Sequence, residues 1–132
     1  MSVPAVRFRI DFGHGEAVGP GKIALLEHIA GGGSLSQAAR ELDMSYRRAW
    51  QLLTSLNGCF LEQVAVTARG GRGGGGATLT PFGRQLIRAY REFDAEIQGR
   101  AGRCFRAIAG RARRRARARS ARARVRRLTA RG

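Results

Sequence analysis

Between Ser34 and Thr80 the chain sets out, in fixed order, two short helical patterns, two strand patterns around a glycine-rich loop, and a Leu-Thr-Pro turn. Few arrangements accommodate that order in so short a stretch. Leu35, Ala38, Ala39 and Leu42 recur at i, i+3, i+4 and i+7, which predicts one apolar helical face. The cap of that helix reads as Ser36, although Ser34 with Gln37 three residues on also fits a capping box. Ala38 and Ala39 are small enough for a second helix to cross closely. Asp43-Met44 predicts a tight turn. Ser45 then predicts the cap of a helix burying Ala49, Leu53 and Leu56, with Leu52 alongside, and Asn57-Gly58 reads as its left-handed C-terminal cap. Two short helices, a three-residue turn and close-packing alanines amount to a helix-turn-helix.

The flanking sequence extends this unit. Val64 to Thr67 and Ala77 to Leu79 predict a hairpin around Arg69 to Gly76, which makes a wing. Thr80 predicts the cap of a further helix with Pro81 at its first position. Upstream, Val6, Phe8, Ile10 and Phe12 alternate with Arg7, Arg9 and Asp11, the period of a half-buried strand over Ala5 to Phe12. His14 to Gly19 is a turn region. Pro20 opens a helix with the stripe Ile23, Leu25, Leu26 and Ile29, which stops at Gly31-Gly32-Gly33. The predicted fold is mainly α with a small β-hairpin: a winged helix-turn-helix plus a long C-terminal dimerisation helix.

That last helix carries Phe82, Leu86, Ala89 or Tyr90, Phe93 and Ile97 at intervals of three and four. The stripe is longer than a small domain needs to close its own core, and a two-stranded seam between copies would use it, so a homodimer is expected. The alternative is that it packs back on the strand and the first helix. Cys104, Phe105 and Ile108 could prolong the helix by a turn or two.

Charge divides the chain. Residues 1–98 hold eleven Lys or Arg against nine acidic residues, whereas residues 99–132 hold fourteen Arg and no acid. The organisation expected is a winged domain over 1–98, with its dimer helix at about 81–98 or slightly beyond, and an Arg-rich tail over 99–132. Like charges repel in that tail and nothing is buried, so it should be disordered until it meets an anion. A cationic segment binds polyanions by releasing their counterions, and nucleic acid is the first candidate.

Other classes find little support. Cys59 and Cys104 have no C-x-x-C spacing and read as buried free thiols. His14 and His28 have no partner at a ligand spacing, and Glu27 with His28 reads as the exposed face of the first helix. Glu92, Asp94 and Glu96 read as solvating their helix or balancing Arg88 and Arg91. No catalytic, metal-binding or cofactor-binding residue is expected, no cofactor, and no enzyme activity. No apolar run reaches membrane-spanning length and the N-terminus has no signal-peptide pattern, so no membrane is expected and the cytoplasm is the expected compartment.

The residues expected to act lie on the second helix of the motif and on the wing. With Ala49, Leu53 and Leu56 inward, Arg47, Arg48, Gln51, Thr54 and Ser55 point outward, and Ser45 and Tyr46 lie at the helix start, where groove edges are reached. Arg pairs bidentately with guanine and Gln with adenine. The alternative is that Arg47 and Arg48 are solvated or bind phosphate without reading sequence. Trp50 reads as core or dimer packing rather than a base contact. Arg69 and Arg72 would bring charge to phosphates at the wing tip, where glycines allow close backbone approach. Gly71, Gly73 and Gly76 also fit G-x-G-x-x-G, but a strand follows where that fingerprint needs a helix, and the Gly-Lys-Ser/Thr of a P-loop is missing. A single RGG-like copy, or a surface loop without contacts, are the remaining readings.

Gly33-Ser-Leu-Ser-Gln-Ala-Ala39, Met44-Ser-Tyr-Arg-Arg-Ala-Trp50, Leu56-Asn57, Gly70-Gly-Arg-Gly-Gly-Gly-Gly-Ala77 and Leu79-Thr-Pro-Phe-Gly83 together resemble the N-terminal DNA-binding domain of ModE-type molybdate-responsive regulators, of the LysR-like winged-helix class. The similarity covers about residues 5–98. It implies a homodimer on an inverted-repeat operator in double-stranded DNA, with the helix from Ser45 in the major groove and the wing, Arg69 to Gly76, on the backbone. It also implies a role in molybdenum gene control. The family senses molybdate through C-terminal oxyanion-binding domains. Here Arg-rich sequence stands where the linker to them would lie, which speaks against direct molybdate binding. The function expected is sequence-specific transcriptional regulation. The alternatives are a non-specific nucleoid-type or RNA-associating basic protein, and a partner-binding protein that keeps the fold without reading DNA.

Overall fold

The computed structural model describes residues 3–13, 16–68 and 76–113. The chain divides into a unit over Val6–Ile97 and a second unit made of residues 1–5 and 98–132. The elements are β1 (Ile10–Asp11), β2 (Ala17–Val18), α1 (Pro20–Gly32), α2 (Leu35–Glu41), α3 (Tyr46–Gly58), β3 (Ala65–Thr67), β4 (Ala77–Leu79), α4 (Pro81–Cys104) and α5 (Arg106–Ala109). This is a mainly α winged helix-turn-helix with a long helix after the wing.

The alternating strand pattern is half realised. Val6, Phe8 and Ile10 are half-buried and Arg7, Arg9 and Asp11 exposed, but only Ile10 and Asp11 pair, antiparallel to Val18 and Ala17. Phe12 breaks the alternation at 44% exposure and packs edge-on against Phe60. Phe8 is held by rings: it stacks on Tyr90 at 4.9 Å and meets Phe93 edge-on at 5.1 Å. The burial of Phe8 therefore comes from α4 and not from a longer ladder.

α1 starts at Pro20 and ends where Gly33 adopts φ 71°, its N–H returning to the Ile29 carbonyl at 2.8 Å. Ile23, Leu25, Leu26 and Ile29 are all buried. Ser34, not Ser36, caps α2: its hydroxyl accepts from the Gln37 N–H at 3.0 Å, so the capping-box register is the one used. Ala38, Ala39 and Ala49 are nearly inaccessible, which lets α2 and α3 cross closely. Between them Asp43 takes φ 55°, and the Met44 N–H closes the turn on the Ala39 carbonyl at 2.9 Å.

α3 is capped by Ser45, which accepts from the Arg48 N–H at 3.0 Å. Its far end differs from expectation. Gly58 is the last helical residue and Cys59 follows at φ −75°, so no left-handed cap forms. Asn57 instead uses its side chain as a clamp: Nδ2 donates to the Ala65 carbonyl at 3.2 Å, and the Val64 N–H donates to Oδ1 at 2.7 Å. The amide thereby ties the end of α3 to the start of the wing.

β3 and β4 pair antiparallel, Ala65 with Leu79, Val66 with Thr78 and Thr67 with Ala77. Gly76 bridges to Ser34, and the Ala77 N–H donates to the Gly33 carbonyl at 2.9 Å, which fastens the wing to the α1–α2 junction. Thr80 caps α4 by accepting from the Gly83 N–H at 3.0 Å while its hydroxyl donates to the Gln63 carbonyl at 2.6 Å.

Leu86 and Tyr90 join the core, and Arg91 pairs with Glu27 of α1. Up to Phe93 the α4 stripe therefore packs back on the N-terminal segment and α1. Of the pair Ala89 or Tyr90, Tyr90 is the buried one. Within the second unit α4 continues to Cys104, Ala101 is buried, and Phe105 and Ile108 are exposed. Cys59 is buried and Cys104 exposed, which corrects the expectation of two buried thiols. The tail expected to be disordered falls, from 114 onward, outside the described residues.

Candidate nucleic-acid interface

The outward face of α3 follows from its buried one. Ala49, Leu53 and Leu56 pin one side into the core, and at about 100° per residue the opposite side carries Arg47, Thr54 and Gln51. Ser45, Tyr46, Arg47, Arg48, Gln51 and Thr54 are all exposed. α3 has 13 residues and no acid among them. Such a helix is about 20 Å long and fits a major groove about 12 Å wide. Arg69 and Arg72 of the wing lie outside the described residues, so only the base of the wing bears on the site.

Ser55 behaves differently from the outward residues grouped with it. It is half-buried and belongs to a network that the sequence does not announce. Lys22, in the first turn of α1, donates from Nζ to Ser55 Oγ at 2.9 Å and to the Ala17 carbonyl at 2.8 Å, and pairs with Glu16 at 3.4 Å. Ser55 in turn donates to Glu16. That bond, followed by the Lys22 ammonium, holds the Glu16 carboxyl below the usual carboxylate range. A groove runs beside the network, lined by Arg9, Glu16, Lys22, Arg48, Gln51 and Ser55. Its cationic members Arg9 and Arg48 make the flank of α3 hospitable to an anionic backbone. Arg9 and Lys22 were not among the residues singled out from sequence, because their contribution depends on partners far along the chain.

Glu27 and His28 are not simply solvated. Arg91 grips Glu27 through Nε at 2.9 Å and Nη2 at 2.5 Å, and His28 Nδ1 lies 2.5 Å from Glu41. Arg91 also reaches Asp94 at 3.4 Å, an acid–base pairing within α4. Among the described residues no group of three or more His, Cys, Asp or Glu could hold a metal, and no helix is long and apolar enough to cross a membrane. Trp50 is 51% exposed on the outer side of α3, so it is not a core residue of this chain.

Comparison with known proteins bears on what such a face is for. The chain is 43% identical over 82 residues to the DNA-binding transcriptional dual regulator ModE of Escherichia coli strain K12, which is 62% of this chain and 31% of that protein. It is 42% identical over 83 residues to the molybdenum-pterin-binding protein MopB of Rhodobacter capsulatus, covering 63% of this chain and 31% of MopB. The matched segment is homologous to the ModE-type regulators. A third ModE relative, the molybdenum transport protein of Azotobacter vinelandii, is 37% identical over 92 residues, 70% of this chain and 34% of its own length. The chain spans about a third of the length of the curated relatives it matches, and that third is their N-terminal part. No protein-family model matches.

Proposed function

We propose that this chain is a sequence-specific DNA-binding transcriptional regulator of molybdenum-related genes, acting in the cytoplasm without catalysis. The observation that carries the reading is the acid-free outer face of α3, where Arg47, Gln51 and Thr54 stand exposed above a buried Ala49, Leu53 and Leu56. Arg47, Arg48 and Gln51 read base edges in the major groove, Ser45 and Tyr46 place the helix start, and Thr54 contacts the groove further along. Arg69 and Arg72 meet phosphates from the wing. The names of the relatives, a transcriptional regulator among them, support this assignment for the shared segment.

The chain works as a homodimer in this reading. Phe105 and Ile108, both exposed in the second unit, support an association between copies. Winged domain and dimer helix occupy 1–98, and the fourteen Arg of 99–132 add affinity that does not depend on sequence. The net charge of +16 favours a second reading, a non-specific nucleoid-type or RNA-associating protein whose affinity comes from that tail.

Selection of bound sequences from a random duplex pool, with the full chain and with a form lacking 111–132, separates the two. A palindromic consensus with half-sites about one helical turn apart supports the regulator. Loss of the tail should weaken binding to consensus and random duplexes alike and flatten the salt dependence. Binding without any consensus supports the nucleoid-type reading.

A further inference from the structure

Trp50 and Tyr46 stand one helical turn apart on α3 and are 51% and 47% exposed. At about 100° per residue they form one flank of the outer face, with Arg47, Thr54 and Gln51 in the middle and Arg48 on the other flank beside Lys22. Among the described residues Trp50 stacks on no other ring. The core closes without it. A large apolar edge held out in solvent beside two arginines calls for an occupant that is anionic overall and apolar at one point.

A duplex major groove has that character. Its rim is phosphate, its floor is polar, and the only apolar group on the floor is the thymine methyl. A second copy of this chain fits poorly, because a two-fold contact through this face would bring the Arg47 and Arg48 of both copies into one interface with no acid on α3 to balance them. We propose that Trp50, with Tyr46 beside it, packs on thymine methyl groups and so determines which positions of the operator must be A·T. The proposal rests on α3 reading DNA and adds a reading element that hydrogen bonding by Arg47 or Gln51 does not supply.

The test uses the full chain and the duplex recovered by selection from a random pool. Thymines in each half-site are replaced singly by deoxyuridine, which removes the methyl and leaves every hydrogen-bonding group. Titration against labelled duplex should show about a fourfold loss of affinity for each methyl that Trp50 covers. Trp50→Ala should bind the thymine and deoxyuridine duplexes alike, and Trp50→Phe should keep part of the difference. Trp50 is the single tryptophan, so its fluorescence should be quenched freely by acrylamide in the free chain and protected by the thymine duplex.

Equal affinity of the unmodified chain for all the duplexes, or a difference that survives Trp50→Ala, overturns the proposal while leaving α3 as the reading helix. Dissociation of a dimer by Trp50→Ala overturns it in favour of a second copy. Failure of any consensus to emerge overturns the reading of α3 and the proposal together.

Discussion

Lys22 Nζ donates to Ser55 Oγ at 2.9 Å, joining the first turn of α1 to the flank of α3. The same ammonium binds the Ala17 carbonyl and Glu16, so one side chain sets α3 relative to both the β1–β2 hairpin and α1. This half-buried lysine adds to the buried contacts of Ala49, Leu53 and Leu56 in fixing the direction of the exposed arginines of α3.

Lys22→Met should therefore weaken binding to the selected duplex, although Lys22 stands on a different element from the residues proposed to read it. It leaves the Ala17 carbonyl and Ser55 without their donor, and α3 loses one of its fixings. The comparison that checks this is duplex affinity against far-ultraviolet circular dichroism: affinity falls severalfold, and helix content stays.

Gly83 supplies a second prediction. A Cβ added there would fall 2.0 Å from the Val64 carbonyl oxygen, a contact that only movement of backbone could relieve. Gly83→Ala should destabilise the chain by about 1–3 kcal/mol, the range of an overfilled core. For a domain of this size that lowers the melting temperature by about 4–8 °C per kcal/mol. Gly31→Ala, where an added Cβ meets nothing within 4 Å, should leave it unchanged or raise it.

Those two sites show where sequence patterning informs and where it stops. The helices, the hairpin, Ser45, Thr80 and Pro81 were legible because capping and periodicity are local. Thr80-Pro-Phe-Gly83 was legible as a helix start, but not why glycine stands fourth, since Val64 lies 19 positions earlier. The Ser34 cap was open between two serines because both offer the same hydroxyl, and only Gln37 answering Ser34 decides it. Asn57 was misread because Asn-Gly is a strong local turn signal, whereas its amide is spent across space on Val64 and Ala65. Residue type left Trp50 open between core and dimer packing, and its exposed position on α3 removes the first of these.

The Arg91–Glu27 pair predicts an acid dependence. The Arg91 hydrogen bonds, then its charge, hold Glu27 below the usual carboxylate range against the opposing effect of burial. A depressed carboxylate stabilises the fold above its unfolded pKa, about 4.3, and that contribution is lost as pH falls through the lower folded value. Both side chains are more than a third exposed, so screening keeps the effect small. Urea unfolding should place Glu27→Gln below the parent chain at about pH 6, with the two curves converging by about pH 3.

The central claim, that the outer face of α3 reads duplex sequence, is tested most directly by one ratio: affinity for the selected duplex over affinity for a scrambled one, at physiological salt. For the unmodified chain we expect a ratio of about a thousand or more, and for Arg47→Ala with Arg48→Ala a fall of about tenfold or more. A ratio near one in the unmodified chain, or one that the double change leaves intact, would contradict the account.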